Sequence, residues 1–452
     1  LILVASYFFY GWWDYRFLAL IAFSTLIDYF IGIRLEESEN HKMRKGLLAL
    51  SILVNIGFLG FFKYYNFFLD NFITAFSFMG MPIQPNSLNI ILPVGISFYT
   101  FQTMSYSIDI YRRKISATKD LVAFSAFVSF FPQLVAGPIE RASNLLPQFF
   151  EKRKFDYSQA TDGLRQILWG LFKKVVIADN CAEYANTIFN NSSDYSGSTL
   201  LLGAVFFTFQ IYGDFSGYSD IAIGTSRLFG FNLMQNFAFP YFSRDMAEFW
   251  RRWHISLSTW FRDYVYIPLG GSKCSTGLQI RNIFIIFLLS GFWHGANWTF
   301  IAWGALNAIY FVPLLLLGKN RNNLGIVAMD KNMLSVKDFA SILVTFGLTV
   351  FSWIFFRAEN MSHALSFIAD MFTIKLFEIP DFSVFPGAIT LLVLITGFMW
   401  TEWKGRTGNF GIHNLKSIPG KVHRWSIYFL IIIVIDIFGN TSEDIEFIYF
   451  QF

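Results

Sequence analysis

The sequence is poor in charged residues and has almost no cysteine. Asp, Glu, Lys and Arg make up only 15% of its 452 residues, whereas roughly a quarter is usual in soluble domains. A soluble protein of this length would place more charge between its apolar runs. The two cysteines, Cys181 and Cys274, form no CxxC pair, so neither a disulfide framework nor a thiolate metal site is indicated. The formal net charge of +4 is too small to indicate a nucleic acid partner.

Long apolar runs are what the sequence has instead. Hydrophobic residues make up 54% of the chain, aromatic residues make up 20%, and the mean hydropathy is +0.45. Runs of about 20 apolar residues, enough to cross a bilayer as a helix, recur along the chain. The sequence therefore predicts an all-α polytopic protein in the lipid bilayer, with a single membrane domain over residues 1–452. About eleven transmembrane helices are expected, near residues 1–13, 15–33, 47–69, 88–111, 121–136, 164–180, 199–230, 282–318, 338–357, 385–400 and 425–439.

Basic residues concentrate in loops, and they predict an orientation in the membrane. Positively charged loops tend to stay on the cytoplasmic side. If the loop Arg34–Lys45 is cytoplasmic, the loop Asp70–Asn86 lies outside and the cluster Arg112–Lys114 lies inside again. The two spans that follow, 47–69 and 88–111, thus return the basic cluster Arg112–Lys114 to the cytoplasmic side, which agrees with a cytoplasmic position of Arg34–Lys45.

The run 282–318 contains no Asp, Glu, Lys or Arg, but it contains His294 in the stretch SGFWHGANW. As one straight helix the run would measure roughly 55 Å, well over the thickness of about 30 Å of the hydrocarbon layer. A broken helix or two short helices are therefore predicted, with the break at Gly291, Gly295 and Asn297. Non-helical backbone at membrane depth is tolerated only inside protein or beside a wet cavity. Because ionisable residues within membranes are usually functional, a functional role of His294 is favoured over a structural one.

A second histidine, His254, lies in a segment that is too charged to span a bilayer. Residues 241–272 place large apolar side chains at helical spacing, so the pattern predicts an amphipathic helix that lies in the interface or re-enters the bundle. Pro268 and Gly270–Gly271 are expected to end it. His254 is expected at the edge of the apolar face, where pattern alone leaves its role open between function and structure. The opposite, polar face is expected to carry Asp245, Glu248, Arg252 and Asp263.

Proton transfer is the chemistry that best suits an isolated histidine in this setting. A neutral imidazole with a pKa of about 6.5 can take a proton from a hydroxyl group, which suits acyl transfer from a thioester to an alcohol. A metal site is disfavoured because the sequence has no HxxxH or HxxE pairing and no evident third ligand. A serine nucleophile stays open as an alternative, although no GxSxG motif is present.

Tryptophans surround both histidines in the sequence, and an aspartate lies in the motif GDFSGYSD (213–220). The tryptophans fit either interface anchors or the walls of an apolar channel for an acyl or pantetheine arm. The glycines of GDFSGYSD are equally explained by close helix packing. The residues expected to line a substrate or acyl channel are Trp250, Trp253, Trp293, Asn297, Trp298 and Asp214.

Both histidines lie in motifs that resemble a known family. The stretches WRRWHISLSTWFRDYVYIPLGG (250–271) and GFWHGANWTFIAWGALNAIY (291–310) resemble the membrane-bound O-acyltransferase family, and most closely its bacterial branch of alginate O-acetyltransferases. The resemblance extends over essentially the whole chain, through FVSFFPQLVAGPIERASNLLPQF, YGDFSGYSDIAIG, FRAENMSHAL and the terminal FIYFQF. It implies a ring of tilted helices around a central catalytic funnel, together with re-entrant or interfacial helices. It also implies that an N-terminal span of such relatives is missing here.

The resemblance further implies a reaction and its participants. His294 matches the near-invariant catalytic histidine, expected as general base on the attacking hydroxyl or on a partner's hydroxyl. His254 matches the second active-site position, expected to orient the thioester or to stabilise the oxyanion. The acetyl group is expected to come from a cytoplasmic thioester, with acetyl-CoA as the donor and no bound cofactor or metal. It would end on an exported or cell-wall polysaccharide, with the help of an extracytoplasmic esterase-like acyltransferase partner. The expected location is the inner (cytoplasmic) membrane of a bacterium.

Two alternatives stay open at the level of the sequence. Within the same family, the chain could transfer D-alanine from a carrier protein to teichoic acid. Outside enzymes, a transporter would be expected to have inverted repeats with paired broken helices and several carboxylates within the membrane. Only one broken segment is evident, and no second half matches it.

Overall fold

A computed structural model describes residues 1–79, 88, 90–329, 334–382, 387–440 and 447–448. Within these ranges every regular element is a helix, which confirms the predicted all-α class. The chain divides into two compact units, Leu1–Asp156 with Phe229–Met234, and Tyr157–Leu228 with Gln235–Phe452. The ring of helices, the funnel and the single domain stay predictions. Parts of the predicted loop Asp70–Asn86, of the predicted span 385–400 and of the terminal FIYFQF lie outside the described residues.

The first unit contains helices whose polar side chains are satisfied inside the protein. Asp28 is completely buried and accepts hydrogen bonds from the Ser51 hydroxyl at 2.5 Å and from the Asn55 amide at 2.8 Å. Such pairing is expected because unpaired polar groups are costly in a membrane. The helices are α1 Ile2–Asp14, α2 Arg16–Glu37, α3 His41–Leu59, a π-helix Gly60–Tyr64, α4 Tyr65–Phe78, α5 Ile96–Tyr111, α6 Leu121–Val128, α7 Phe131–Leu134, α8 Ala142–Leu145 and a 3-10 turn Leu146–Phe149.

One of the basic residues that predicted the orientation has a structural task. Arg44 is buried. Its guanidinium donates to the carbonyl oxygens of Leu35 in the last turn of α2 and of Ser38 just after it, and to those of Ile110 and Tyr111 at the end of α5. Carbonyl groups at a helix C-terminus lack partners within the helix and attract a cation. Arg44 therefore joins two helix ends and is not a free surface charge.

The second unit contains the long helix α11 and the segments that carry both histidines. Its helices are α9 Tyr157–Leu171, a π-helix Phe172–Ala178, α10 Asp179–Asn190, a 3-10 turn Ser192–Asp194, α11 Gly197–Leu228, a 3-10 turn Pro240–Phe242, α12 Met246–Arg252, α13 Ile255–Phe261, a π-helix Arg262–Tyr266, α14 Thr276–His294, α15 Trp298–Leu316, α16 Val336–Arg357, α17 Met361–Met371, a 3-10 turn Ile374–Phe377, α18 Ala388–Gly405, a 3-10 turn His413–Ser417 and α19 Lys421–Phe438.

Glycines bring α9 and α11 into direct backbone contact. A methyl group on Gly170 would lie 2.6 Å from the Gly217 carbonyl oxygen, and one on Gly224 would lie 2.6 Å from the Gly163 carbonyl oxygen. No side chain larger than hydrogen fits at these positions without moving backbone. Close helix packing therefore accounts for Gly217 in the GDFSGYSD motif, as small residues do in other membrane helix pairs.

Six helical segments of the described chain are long and apolar enough to cross a membrane, and the chain is a multi-pass membrane protein. They are Arg16–Glu37, His41–Phe78, Gly197–Leu228, Thr276–His294, Trp298–Leu316 and Val336–Arg357. The predicted number of eleven is not confirmed, because several of the other predicted spans are shorter or interrupted. The predicted span at 121–136, for example, consists of the short helices α6 and α7, with a break at Ser129–Phe130.

The predicted break near His294 is confirmed. Helix α14 ends at His294, and Gly295 and Asn297 have extended backbone angles with φ of −162° and −145°. The Asn297 side chain then accepts from the Thr299 N–H at 3.1 Å and caps the start of α15. The two helices pack closely, since a methyl group on Gly291 would lie 2.2 Å from the Phe300 carbonyl oxygen.

The prediction of one amphipathic helix over 241–272 is wrong. Two short helices, α12 and α13, flank a joint at His254, whose φ of +43° is left-handed. Glu248, expected on the polar face, is only 1% exposed and pairs with Arg244 at 3.0 Å and Arg252 at 2.8 Å. Helical periodicity implies a continuous helix with solvated charges, and it does not predict that two guanidinium groups neutralise a buried carboxylate.

Candidate active site

The structure brings the two histidines together from separate elements of the second unit. His254 forms the joint between α12 and α13, and His294 is the last residue of α14. Their ring centroids are 6.4 Å apart, and the two residues are 1% and 4% exposed. His254 is therefore more deeply buried than its expected position at the edge of an apolar face. Two imidazole rings at this distance can both contact the same bound substrate.

Aromatic rings enclose His294. The ring centroids of Trp293, Trp303 and Phe356 lie at 4.9, 5.3 and 5.3 Å from its imidazole. Trp303 is completely buried and stacks on Trp353 at 5.5 Å. These rings surround the His294 imidazole with apolar groups, so its position beside the cavity is set by packing.

His254 is held by Asn236, a residue that no motif in the sequence indicates. Its Nδ1 atom lies 3.1 Å from the Oδ1 atom of Asn236, which is completely buried. The same oxygen accepts hydrogen bonds from the Ser256 N–H at 3.3 Å and the Ser256 hydroxyl at 2.9 Å. Asn236 is 18 residues before His254 in a segment without regular structure, so no periodicity or spacing rule could indicate it.

Burial is the main influence on the charge of His254. It lowers the pKa of the His254 imidazole to about 3, because the charged form cannot be solvated inside the protein. The surrounding rings are apolar, with Phe215 at 4.7 Å and Trp293 at 6.0 Å between centroids. His254 is thus a neutral imidazole at every physiological pH.

A cavity of about 420 Å³ connects the two histidines to the protein surface. This volume lies within the range of about 300–1,000 Å³ that is typical of small-molecule sites. Apolar side chains of α14 and α15 form its walls, among them Ile283, Phe287 and Phe311. At its exposed end the lining residues are Arg251, Arg262, Ser272 and Arg321. The site is therefore apolar and histidine-bearing at its buried end and cationic at its exposed end.

The predicted channel residues occupy several different positions. Trp250 lines the cavity and packs on Trp303 at 5.6 Å. Trp293 contacts both histidines, whereas Trp253 lies outside the cavity lining and packs on Trp353 at 5.1 Å. The channel role of these three tryptophans stays a prediction.

Asn297 and Trp298 lie beside the histidine motif but not in the cavity lining. The Asn297 amide donates to the Glu359 carbonyl oxygen at 2.7 Å, which joins the α14–α15 turn to the FRAENMSHAL segment. Trp298 is 54% exposed, as an anchor at a membrane interface would be. Their predicted place in a channel is not tested by these contacts.

Asp214 is buried in α11 and is not among the residues that line the cavity. Its carboxylate pairs with Lys174 at 2.9 Å and accepts from the Ile448 backbone N–H at 2.7 Å. These contacts tie α11 to the π-helix Phe172–Ala178 and to the chain near its end. They favour a structural role of Asp214, while the predicted channel role stays untested.

The change Asp214→Asn separates these two roles. The amide keeps an acceptor for the Ile448 N–H but loses the charge that faces Lys174, so we expect a loss of about 1–3 kcal/mol in stability. The thermal midpoint of the purified protein in detergent should fall by several degrees, and the transfer rate per folded molecule should change less than twofold. A loss of rate at unchanged thermal midpoint would instead support a place for Asp214 in the channel.

Nothing in the described part of the chain is arranged as a protein metal site. No group of three His, Cys, Asp or Glu side chains converges there closely enough to hold an ion. The polar groups that could hold a ligand are instead the two imidazoles and the arginines of the cavity.

Comparison with known proteins links this site to a family. The family model "MBOAT, membrane-bound O-acyltransferase family" matches residues 2–357, which include both histidines. The chain is 41% identical over 406 residues to "Probable alginate O-acetylase AlgI" of Pseudomonas aeruginosa, covering 88% of this chain and 75% of that protein. It is 36% identical over 396 residues to "Peptidoglycan O-acetyltransferase" of Helicobacter pylori, covering 82% and 73%. It is 26% identical over 317 residues to "Teichoic acid D-alanyltransferase" of Streptococcus thermophilus, covering 64% and 75%.

Proposed function

Because the chain belongs to the membrane-bound O-acyltransferase family and is an O-acyltransferase, we propose that it moves acetyl groups across the membrane. The donor is a cytoplasmic thioester, acetyl-CoA, and the final acceptor is a hydroxyl group of an exported or cell-wall polysaccharide. The observation that carries this proposal is the meeting of His254 and His294 at the buried end of one cavity. The names of the relatives that are 41% and 36% identical support acetyl as the acyl group.

The polarity of the cavity supports acetyl-CoA as the donor. Coenzyme A carries phosphates at one end and the thioester at the end of a pantetheine arm. The arginines at the exposed end match the phosphates, since guanidinium groups bind phosphate in a fork geometry. Arg251 is held by the carbonyl oxygens of Asn320 and Asn323 at 2.9 Å, and Arg262 is paired with Asp263 at 2.7 Å. The apolar walls would take the arm and place the acetyl group beside the histidines.

The proposed chemistry is transfer from the thioester to a hydroxyl group. His294 takes the proton of the acceptor hydroxyl as its oxygen attacks the thioester carbonyl. The new C–O bond forms, the C–S bond breaks, and the proton passes from His294 to the departing thiolate. The products are the O-acetyl ester and free coenzyme A. An enclosed, water-poor site favours transfer over hydrolysis.

The proposal also includes a location and a partner. The polysaccharide would be modified outside the inner (cytoplasmic) membrane of a bacterium. The hydroxyl that attacks the thioester would then belong to an extracytoplasmic esterase-like acyltransferase, which would pass the acetyl group on to the polysaccharide. The multi-pass character of the chain and the polysaccharide or peptidoglycan named for its relatives support this arrangement. No cofactor beyond the donor itself is required by the proposed reaction.

Reversing the charge of Arg321 tests the donor. We expect Arg321→Glu to raise the KM for acetyl-CoA about tenfold with little change in kcat, because the arginine would bind phosphates and not the reacting carbonyl. Release of coenzyme A from acetyl-CoA by the purified protein is the measurement. Lys319→Glu is the matched control, since Lys319 is exposed and lies outside the cavity lining. An unchanged KM in the Arg321 variant would contradict the phosphate site.

D-alanyl transfer is the second candidate, and the similarity to a teichoic acid D-alanyltransferase favours it. That reaction would take its acyl group from a carrier protein. Turnover of acetyl-CoA by the purified protein without any carrier would support acetyl transfer. Turnover only with a D-alanyl carrier protein would support the alternative. A transporter is no longer a comparable candidate, because the chain belongs to an acyltransferase family.

A further inference from the structure

We infer that Asn236 is a positioning residue that holds His254 with its proton on Nδ1, so that Nε2 is an acceptor for an N–H group of the thioester's arm. This inference rests on the proposed function, since it assumes that a pantetheine thioester enters the cavity. Of the two roles expected for His254, it favours orienting the thioester over stabilising the oxyanion.

The position of the proton follows from the three contacts of the Asn236 oxygen. A backbone N–H can only donate, so the atom of Asn236 that faces the Ser256 N–H at 3.3 Å is the amide oxygen. The His254 Nδ1 atom lies 3.1 Å from the same oxygen. An amide oxygen can only accept, so Nδ1 carries the proton. The alternative, with Nδ1 as acceptor, would place two lone pairs against each other.

The rest of the joint keeps Asn236 in this place. The Ile255 N–H donates to the Asn236 carbonyl oxygen at 2.9 Å, and the Ala238 N–H donates to the Arg252 carbonyl oxygen at 2.9 Å. The segment of Asn236 is thereby bonded to both sides of the His254 joint. This pairing also holds His254 at its left-handed φ of +43°, a conformation that a non-glycine residue adopts only when its surroundings impose it.

The proton on Nδ1 decides what the other nitrogen can do. In the neutral ring, Nε2 then carries a lone pair and no proton, and burial keeps this ring neutral. Nε2 is buried and has no hydrogen-bond partner within the described residues, while His254 lines the cavity. A neutral His254 therefore cannot donate to an oxyanion, but it can accept from a ligand.

A pantetheine thioester offers a suitable donor. Its arm has an amide N–H two carbons from the sulfur, so a hydrogen bond to Nε2 would fix the arm and bring the thioester carbonyl beside His294. Sites built to pair a polar group of the substrate discriminate against analogues that lack the group, because a buried polar atom is then left unpaired. The site should therefore distinguish an amide from an ester at this point of the donor.

Two short thioesters test this property. S-acetyl-N-acetylcysteamine has the amide N–H, and the acetyl thioester of 2-mercaptoethyl acetate has an ester oxygen in its place. We expect wild-type kcat/KM to be about tenfold higher for the amide. The Asn236→Ala variant should lower this ratio to about one, since its His254 ring is free to adopt the other tautomer. Ser256→Ala is the matched control, because it removes one contact of the Asn236 oxygen and leaves the Nδ1 contact, so the ratio should persist.

A spectroscopic measurement tests the tautomer of His254 independently of any activity assay. In the ¹⁵N spectrum of histidine-labelled protein, the signals that disappear in His254→Gln should have the shifts of a neutral ring protonated on Nδ1. Signals of a ring protonated on Nε2 would overturn the inference, and so would an amide-to-ester ratio that is equal in wild type and Asn236→Ala. If the protein does not turn over acetyl-CoA, the proposed function fails while the spectrum still decides the tautomer.

Discussion

Replacing His294 by alanine is expected to lower the O-acetyl content of exported and wall polysaccharide to the level of cells without the protein. Removal of a general base costs about 100- to 10,000-fold in rate, and no other described residue of the cavity wall besides His254 carries an imidazole. The measurement is released acetate after mild alkaline treatment of the isolated polysaccharide. The amount of protein in the membrane fraction is determined in the same cells.

A histidine outside the site provides the control for this experiment. His423 is exposed at the start of α19, so His423→Ala should leave the acetyl content unchanged. If acetylation persists at the wild-type level in His294→Ala, with the protein folded and inserted, the catalytic assignment is wrong. The histidine would then have to be explained by packing among Trp293, Trp303 and Phe356.

Gly291→Ala is expected to cause the largest loss of stability among single methyl additions to α14. The added methyl group would lie 2.2 Å from the Phe300 carbonyl oxygen, and that oxygen belongs to the backbone of α15, which cannot move alone. Overpacking of this kind costs about 1–3 kcal/mol and at times more. We expect a marked fall in the thermal midpoint of the purified protein. Transfer activity should fall as well, because Gly291 is one turn before His294.

The same helix contains a glycine with free space around it. Gly277 has no atom within 4 Å of the position of an added methyl group, so Gly277→Ala should be neutral or stabilising by about 0.5–1 kcal/mol, the usual gain of alanine over glycine inside a helix. Comparing the two variants removes the general effect of glycine replacement. Equal thermal midpoints would mean that α14 and α15 are not in backbone contact at Gly291.

The break beside His294 shows what could be predicted from sequence. The charge-free run 282–318 is too long for one membrane-spanning helix and barely long enough for two, so an interruption was expected. Its glycines and Asn297 were the residues expected to form that interruption. The structure places the break at Gly295 and Asn297, with Asn297 as the cap of α15, whereas Gly291 lies inside α14 and packs against α15. These properties depend on chain length and local conformation, so they can be read along the chain.

The surroundings of His254 could not be predicted from the sequence. Helical periodicity joined residues 241–272 into one amphipathic helix and placed Glu248 on its polar face. In the structure the helix is interrupted at His254, and Glu248 is buried between Arg244 and Arg252. The pairing of Asn236 with His254 depends on a non-helical segment that packs against the joint, and no pattern in the sequence encodes that contact.

The sequence by itself determined the class of this protein and its two histidines. Long apolar runs without charge that recur along a chain indicate membrane helices. An ionisable ring within such a run is energetically costly and is usually functional. The tertiary structure alone decided that the two rings meet at 6.4 Å, that arginines mark the open end of their cavity, and that Asn236 sets the proton on His254. Those features arise from packing between distant segments, where the geometry of a hydrogen bond or a cavity is fixed by many residues together and by no single stretch of chain.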